Sequence, residues 1–260
     1  MGSHLIGFYE SQDPAGAYVG VAAVADETIR VNGDFVTIPD RWPNIVALAA
    51  GIELAAEAFP RFSTPTLRGR SRLYVEPFNI GSAAAVEPNS PHRVADYRLA
   101  PIALVPGESL LMEIDSNPAA AQVQWGLVWL ADQLDPAPAG ERFSIRATNG
   151  STLVAGAWTN GALTFPDELP RGRYAIVGMR ARAAGLIAAR LVNPSGGFRP
   201  GVMGVDAQDD LEHPMFRDGG LGNMMEFEDD EPPSVDFLSA SGDTAQDVIL
   251  DVVQVRGGPR

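Results

Sequence analysis

The sequence has no cysteine and no lysine. Without cysteine the chain forms no disulfide, and it has neither a thiol nucleophile nor thiolate ligands for zinc. Because lysine is absent, all 19 basic residues are arginines, set against 33 Asp and Glu for a formal net charge of −14. A surface of that sign repels phosphate groups, which argues against general nucleic-acid binding.

A long uninterrupted apolar run is also missing. The longest stretch of small apolar residues, IVALAAGIELAAEAF at 45–59, contains Glu53 and Glu57 and is too short for a bilayer-spanning helix. The N-terminus, MGSHLIGFYESQDP, has no basic segment followed by an apolar core, so we expect no signal peptide. These features predict a soluble protein.

Glycine and proline, by contrast, are frequent. The 260 residues include 27 Gly and 21 Pro, more than the roughly 12% that the two types make up on average. Hydrophobic residues make up 45% of the chain, enough for a substantial core. The combination indicates many turns around a packed interior, as in an all-β protein.

Short apolar runs separated by turn residues predict strands. The dipeptide Asn-Gly, the strongest short hairpin signal, occurs at 32–33 between apolar residues, at 149–150 between two predicted short strands, and at 160–161. The run AAQVQWGLVWL at 120–130 places Trp125 and Trp129 on one face of a strand at period two.

The two halves of the sequence resemble each other. VNGDFVTIPD at 31–40 and TNGALTFPDELP at 159–170 share an Asn-Gly turn, an apolar run and a Pro-Asp stop. Three further pairs follow in the same order: AAEAFP at 55–60 with AARLVNP at 188–194, MEIDS at 112–116 with VDFLS at 235–239, and 120–130 with TAQDVILDVVQV at 244–255. The pattern indicates an internal duplication. Coincidence is the alternative, and the chain would then be one large β domain of a structural or spike protein.

Each half has room for about eight short strands, the content of a jelly roll in which two sheets pack face to face. We therefore predict an all-β fold of two tandem jelly-roll β-sandwiches, the first at 1–134 and the second at 135–260. QLDPAPAGE at 133–141 is the candidate linker.

Segment 44–62 leaves two interpretations open. Its Ala, Leu and Glu content, with Pro43 at the entrance and Pro60 at the exit, favours a helix. Its counterpart in the repeat, 173–194, is predicted as two strands, and by that analogy 44–62 is a strand pair.

No arrangement of residues predicts catalysis. His4, His92 and His213 are far apart in sequence, and the close histidine pair of a cupin-type metal site is absent. No phosphate-binding or dinucleotide-binding glycine spacing occurs. We predict no catalytic, cofactor-binding or metal-ligating residues, and a protein that is not an enzyme.

Two acidic segments and three tryptophans leave binding interpretations open. The carboxylates of 205–212 and 226–231 could bind Ca²⁺, although neither segment has the spacing of a calcium loop, and solvated loops are the preferred interpretation. Trp125, Trp129 and Trp158 could serve as sugar platforms, but period-two spacing favours a core position for the first two. A carboxylate pair for glycoside hydrolysis leaves no local signature in a sequence.

The run LPRGRYAIVGMRARAAGLIAARLVNPSGGFRPGVMGVDAQDD at 169–210, followed by PPSVDFLSA and a β-branched terminal strand, resembles the second half of major capsid proteins from tailless icosahedral DNA viruses and phages. VPGESLLMEIDSNPAAAQVQWGLVWLAD at 105–132 is similar in kind to the end of their first half. No short motif is diagnostic, and the family has no catalytic residues to carry over.

The resemblance implies a double jelly-roll protein that forms pseudo-hexameric homotrimers, and these tile an icosahedral shell. It also implies a virion location after assembly in the host cytoplasm, contact with minor capsid proteins and an internal membrane, no cofactor, and no sequence-specific nucleic-acid binding. The N-terminal MGSHLIGF would be an arm for membrane or partner contact. The alternative function is a β-sandwich carbohydrate-binding or glycan-processing protein.

Overall fold

The computed structural model describes residues 2–13, 16–52, 57–68, 72–75, 77–79, 94–117, 121–193, 197–206 and 220–255. These residues are almost entirely β, with one short helix, α1 (Pro65–Arg68). The chain divides into two compact units. The first unit is Ile6–Ala131, and the second unit is Asp132–Arg260 together with Met1–Leu5. The division predicted at 134/135 placed residues 1–5 with the first half, whereas their contacts group them with the second.

The first unit contains two main sheets. One sheet has the order β1 (Ser3–Gln12), β14 (Gln122–Ala131), β5 (Asn44–Ile52) and β10 (Ala95–Asp96), with β9 (Pro77–Asn79) and β11 (Ile102–Ala103) also on β5. The other has the order β3 (Val31–Asn32), β4 (Phe35–Thr37), β12 (Ser109–Ile114), β7 (Arg61–Ser63) and β8 (Leu73–Tyr74), with β2 (Val19–Val21) on β12. A small separate ladder joins β6 (Glu57–Ala58) to β13 (Ser116–Asn117).

The second unit repeats this arrangement. Its first sheet has the order β15 (Arg142–Asn149), β23 (Gln246–Val255), β17 (Arg173–Ala183) and β20 (Val205–Asp206), with β21 (Met225–Glu228) also on β17. Its second sheet has the order β16 (Thr159–Ala162), β22 (Ser234–Ser239), β18 (Leu186–Val192) and β19 (Gly201–Met203).

Both units have the strand order of a jelly roll. Eight strands of each unit form this order. In the first unit they are β1, β4, β5, β7, β8, β10, β12 and β14, and in the second they are β15, β16, β17, β18, β19, β21, β22 and β23. With these strands numbered one to eight in each unit, one sheet pairs the first strand with the last, the last with the third, and the third with the sixth. The other sheet pairs the second strand with the seventh, the seventh with the fourth, and the fourth with the fifth. Two such sheets form a double Greek key. The predicted fold class, all-β with two tandem jelly-roll β-sandwiches, is therefore confirmed by the topology.

A shared irregularity supports the internal duplication. The ladder between β5 and β14 skips one residue of β5, which leaves Val46 as an extra, bulged residue. The ladder between β17 and β23 skips one residue of β17, Val177, in the equivalent pair of strands. Because a β-bulge is a specific local feature, its recurrence between the third and last strands of both units is unexpected for unrelated halves.

Segment 44–62 contains strands, as the repeat predicts, and the helix favoured by composition is not formed at 44–52. β5 pairs with β14 along its whole length, from Asn44 to Ile52. Residues 45–52 are buried on both faces of the strand. Small apolar residues suit such a doubly covered central strand, and this packing outweighs their helix propensity. Residues 53–56 lie outside the described part of the chain.

Of the three predicted Asn-Gly turns, the first is confirmed and the other two are wrong. Gly33 joins β3 to β4 with a φ of 59°, the left-handed conformation that favours glycine. β15 runs without a turn to Asn149, and Gly161 lies inside β16. A Cβ on Gly161 would lie 2.1 Å from Asn149 Nδ2, so a glycine at this position leaves room for the Asn149 side chain.

The N-terminal residues are part of the core, which corrects their interpretation as a peripheral arm. Leu5, Ile6 and Phe8 are at most 1% exposed, and the Phe8 ring packs edge-on against Phe62 at 5.9 Å between centroids. The predicted linker 133–141 contains no strand. It is nevertheless anchored within the second unit, since Asn223 N donates to the Asp135 carbonyl over 2.9 Å.

Candidate functional site

The histidines do not form a site within the described residues. His4 is completely buried in β1, and its Nδ1 accepts a hydrogen bond from the Arg199 backbone N–H over 3.2 Å. His92 and His213 lie outside the described ranges. No group of three His, Asp or Glu side chains in the described part of the chain is placed to hold a metal ion.

Side chains of the acidic segment 226–231 form an ion pair and a hydrogen bond within the second unit. Glu226 pairs with Arg173 across β17 and β21 at 2.6 Å, and Asp229 accepts the Gly172 N–H at 2.7 Å. Glu228 and Glu231 line a cavity of about 290 Å³ beside Arg173. In the other acidic segment, 205–212, the backbone of 205–206 forms β20 and 207–212 are not described.

None of the three candidate tryptophans is an exposed sugar platform. Trp125 and Trp129 are 1% and 0% exposed, which confirms their predicted core position. The Trp158 ring covers Arg190, whose guanidinium carbon lies 4.0 Å from the ring centroid.

The second unit contains a buried network of charged side chains. Asp236 on β22 is 2% exposed and accepts hydrogen bonds from Arg190 Nε at 2.9 Å and from Arg199 Nη1. Asn160 Nδ2 donates to its second oxygen at 2.9 Å. Arg190 and Arg199 are 1% and 8% exposed. Two guanidinium groups thus share one carboxylate away from solvent, which is costly unless every hydrogen bond is made.

The same network fixes the N-terminal residues to the second unit. Arg190 Nη1 donates to the Leu5 carbonyl at 3.0 Å, and Leu5 N donates to the Arg199 carbonyl at 2.9 Å. With the His4 bond, both arginines therefore contact residues 4–5. The network contains no nucleophile, and we assign it a structural role. Its members are far apart in the chain and form no local motif, although a charge within each of the apolar strands β18 and β22 is a signal visible in the sequence.

A second arrangement lies on the outer face of a sheet in the first unit. There Glu113 on β12 lies opposite Gly20 on one side and Arg61 on the other, and Arg61 lies opposite Tyr74. Because side chains alternate along strands, the neighbouring Phe62 points the other way and is fully buried.

A second row of residues runs beside the first. The Phe59 N–H donates to the Asp115 carbonyl at 2.8 Å, which places these two residues opposite each other. Tyr18 precedes β2 on the other side of Asp115. Phe59 and Tyr74 are each 55% exposed. We call this surface the aromatic face; it comprises Tyr18, Phe59, Arg61, Tyr74, Glu113 and Asp115.

The centre of the aromatic face is held by Arg61. Its guanidinium carbon lies 3.3 Å from the centroid of the Tyr18 ring, and its Nε donates to Glu113 Oε2 at 3.0 Å. Arg61 also donates to the Tyr74 hydroxyl, and this bond lowers the pKa of Tyr74. Burial, together with a hydrogen bond to Tyr74, raises the pKa of Tyr18. Sequence analysis did not single out these residues, since no local motif unites them.

Comparison with known proteins adds little. No family model and no curated protein matches this sequence. Among solved structures, the major capsid protein P2 from bacteriophage PM2 is similar at 11% sequence identity and a TM-score of 0.25, over 99% of this chain and 100% of that one. The jelly-roll assignment above rests on the strand order of this chain alone. In the described residues, no helix has the length and apolar character needed to traverse a membrane.

Proposed function

We propose that this chain is a viral structural protein: the major capsid protein of a tailless icosahedral DNA virus or phage, which forms pseudo-hexameric homotrimers that tile the shell. One observation carries the proposal. The same jelly-roll strand order, with the same bulge between its third and last strands, occurs twice in a single chain.

A duplicated roll suits a tiling block for a geometric reason. Three copies of the chain supply six similar rolls, the number needed for a near-hexagonal outline, and blocks of that outline cover the flat facets of a shell without gaps. The edge strand β15 carries the exposed Arg142 and Arg146, charges that discourage uncontrolled strand addition at a sheet edge. The net charge of −14 keeps such blocks soluble before assembly.

The remaining parts of the proposal follow from this role. The protein resides in the virion after assembly in the host cytoplasm, and its principal partner is a further copy of itself. Minor capsid proteins and an internal membrane are its other partners, and it binds no specific nucleic-acid sequence. It has a structural role and no catalytic one.

The test is the mass and shape of the purified protein. Light scattering after size exclusion should give three times the 27.6 kDa chain mass, and negative-stain images of the same fractions should show hexagonal particles or shells. The measurement should cover a wide range of protein and salt concentrations. A monomer throughout that range would refute the proposal.

A further inference from the structure

We propose that the aromatic face of the first unit binds a neutral carbohydrate, with the rings of Phe59 and Tyr74 against the apolar face of a sugar and the flanking charged groups bonded to its hydroxyls. This inference does not depend on the proposed assembly. It places a carbohydrate site where sequence analysis did not, since the tryptophans considered for that role are buried or cover Arg190.

The aromatic face is held in place by its own contacts, without a ligand. Tyr74 is 55% exposed, yet its hydroxyl accepts hydrogen bonds from Arg61 and Tyr18. Arg61 itself is only 8% exposed, because it lies against the Tyr18 ring and is paired with Glu113. A ring fixed by such contacts loses little conformational entropy when a ligand stacks on it. An exposed but fixed ring is characteristic of a binding surface.

Positive and negative charges balance on the described part of the aromatic face. Among the described residues, three arginines and three carboxylates lie on or beside the aromatic face, namely Arg61, Arg68, Arg72, Asp34, Glu113 and Asp115. Their formal charges cancel, in a chain whose net charge is −14. A site for a nucleic acid would require a positive surplus, and a cation site a negative one. A neutral surface with many hydrogen-bond donors and acceptors suits a neutral ligand rich in hydroxyls.

The exposed apolar area of the aromatic face is small. A buried aromatic side chain covers about 150–250 Å², so two rings that are 55% exposed offer on the order of 200 Å² together. A stable protein partner needs roughly 800 Å² on each side. The apolar part of the aromatic face is therefore too small for a second copy of the chain and comparable with the face of one or two sugar rings.

The experiment uses the full chain on an array of immobilised neutral and anionic oligosaccharides, followed by calorimetry with the neutral glycan that binds best. The variants are Phe59→Ala and Tyr74→Ala, each of which removes one exposed ring. Leu99→Ala is the matched control, since Leu99 is fully exposed and follows β10, which belongs to the other sheet of the same unit. Tyr74→Phe keeps the ring and removes only its hydroxyl.

We expect the wild-type chain and Leu99→Ala to bind at least one neutral glycan with the same affinity, and binding to change little with salt. Each alanine variant should bind at least tenfold more weakly with an unchanged circular dichroism spectrum, and Tyr74→Phe should fall between. The proposal is overturned if no neutral glycan binds, if only anionic glycans bind and salt abolishes the signal, or if both alanine variants bind normally. A change of oligomeric mass in these variants would also overturn it, because the aromatic face would then be a contact between copies. A monomeric wild type that binds glycan would refute the assembly and leave this site intact.

Discussion

The buried network around Asp236 allows a sharp prediction of stability. We consider Asp236→Asn, which keeps the shape of the side chain and removes its charge. Arg190 and Arg199 would then remain buried without their shared counter-ion, since their side chains are 1% and 10% exposed and that of Asp236 is 3% exposed. Both arginines donate to the same oxygen of Asp236, so an asparagine whose Oδ1 takes that place can still accept from both, but its amide N–H₂ would then face the Asn160 Nδ2 donor.

The expected cost follows from the burial. Breaking a buried ion pair by changing one partner costs about 3–5 kcal/mol, because the desolvated charge is left uncompensated. Here two charges lose one partner, so we expect a value toward the upper end. Single domains are typically stable by about 5–15 kcal/mol, and the variant should therefore lose a large fraction of the stability of the second unit.

Asp247→Asn is the matched control. It removes the same charge from the same unit, but Arg146 and Asp247 have side chains 64% and 49% exposed. Exposed pairs contribute about 0.2–1 kcal/mol. The assay is urea unfolding of both variants, with amide hydrogen exchange in β18 and β22 to isolate the second unit. If Asp236→Asn costs no more than Asp247→Asn, the network is not a stabilising anchor and the reasoning is wrong.

Two further substitutions test the packing of each core. Gly51→Ala should destabilise the first unit by about 1–3 kcal/mol or more in chemical denaturation, because the new Cβ would lie 2.3 Å from the buried ring of Trp125. The control is Gly150→Ala, which should be close to neutral because its Cβ would meet no atom closer than 3.9 Å. Equal losses of stability in the two variants would contradict this prediction. Gln246→Met should raise the stability of the second unit by about 1–3 kcal/mol, since both amide atoms of Gln246 are buried without a hydrogen-bond partner in the described structure. The control is Gln254→Met, at an exposed position, which should give no gain in stability. A loss of stability in Gln246→Met would show that the Gln246 amide is hydrogen-bonded.

The pattern of turns and apolar runs was sufficient to predict the fold class, because closing two sheets face to face needs many short strands with frequent breaks. The correspondence of 112–116 with 235–239 was informative for the same reason. Residues 112–114 lie on β12 and 235–239 lie on β22, and each of these strands has neighbours on both sides in its sheet. The repeat also indicated strands in 44–62 against local propensity.

Local sequence patterns gave wrong predictions where the role of a residue depends on a contact with a residue distant in the chain. The Asn-Gly at 160–161 has the composition of a hairpin, but Gly161 is needed because Asn149 occupies the space of its side chain. The N-terminal residues looked peripheral by position, but Leu5 is bonded to Arg190 and Arg199, almost two hundred residues away. Neither contact can be predicted from the residues next to it in the sequence.

The sequence by itself determined the β class, the two-part organisation, the acidic surface and the lack of cysteine chemistry, because these depend on composition, on short-range periodicity and on the repeat. Only the tertiary structure decided which charges are buried together and which aromatic rings stay exposed. Asp236, Arg190 and Arg199 meet through the pairing of β18 with β22, and Tyr18, Arg61 and Tyr74 meet through the register of separate strands around β12. Register is set by the packing of whole sheets, so neither group could be inferred from the residues alone.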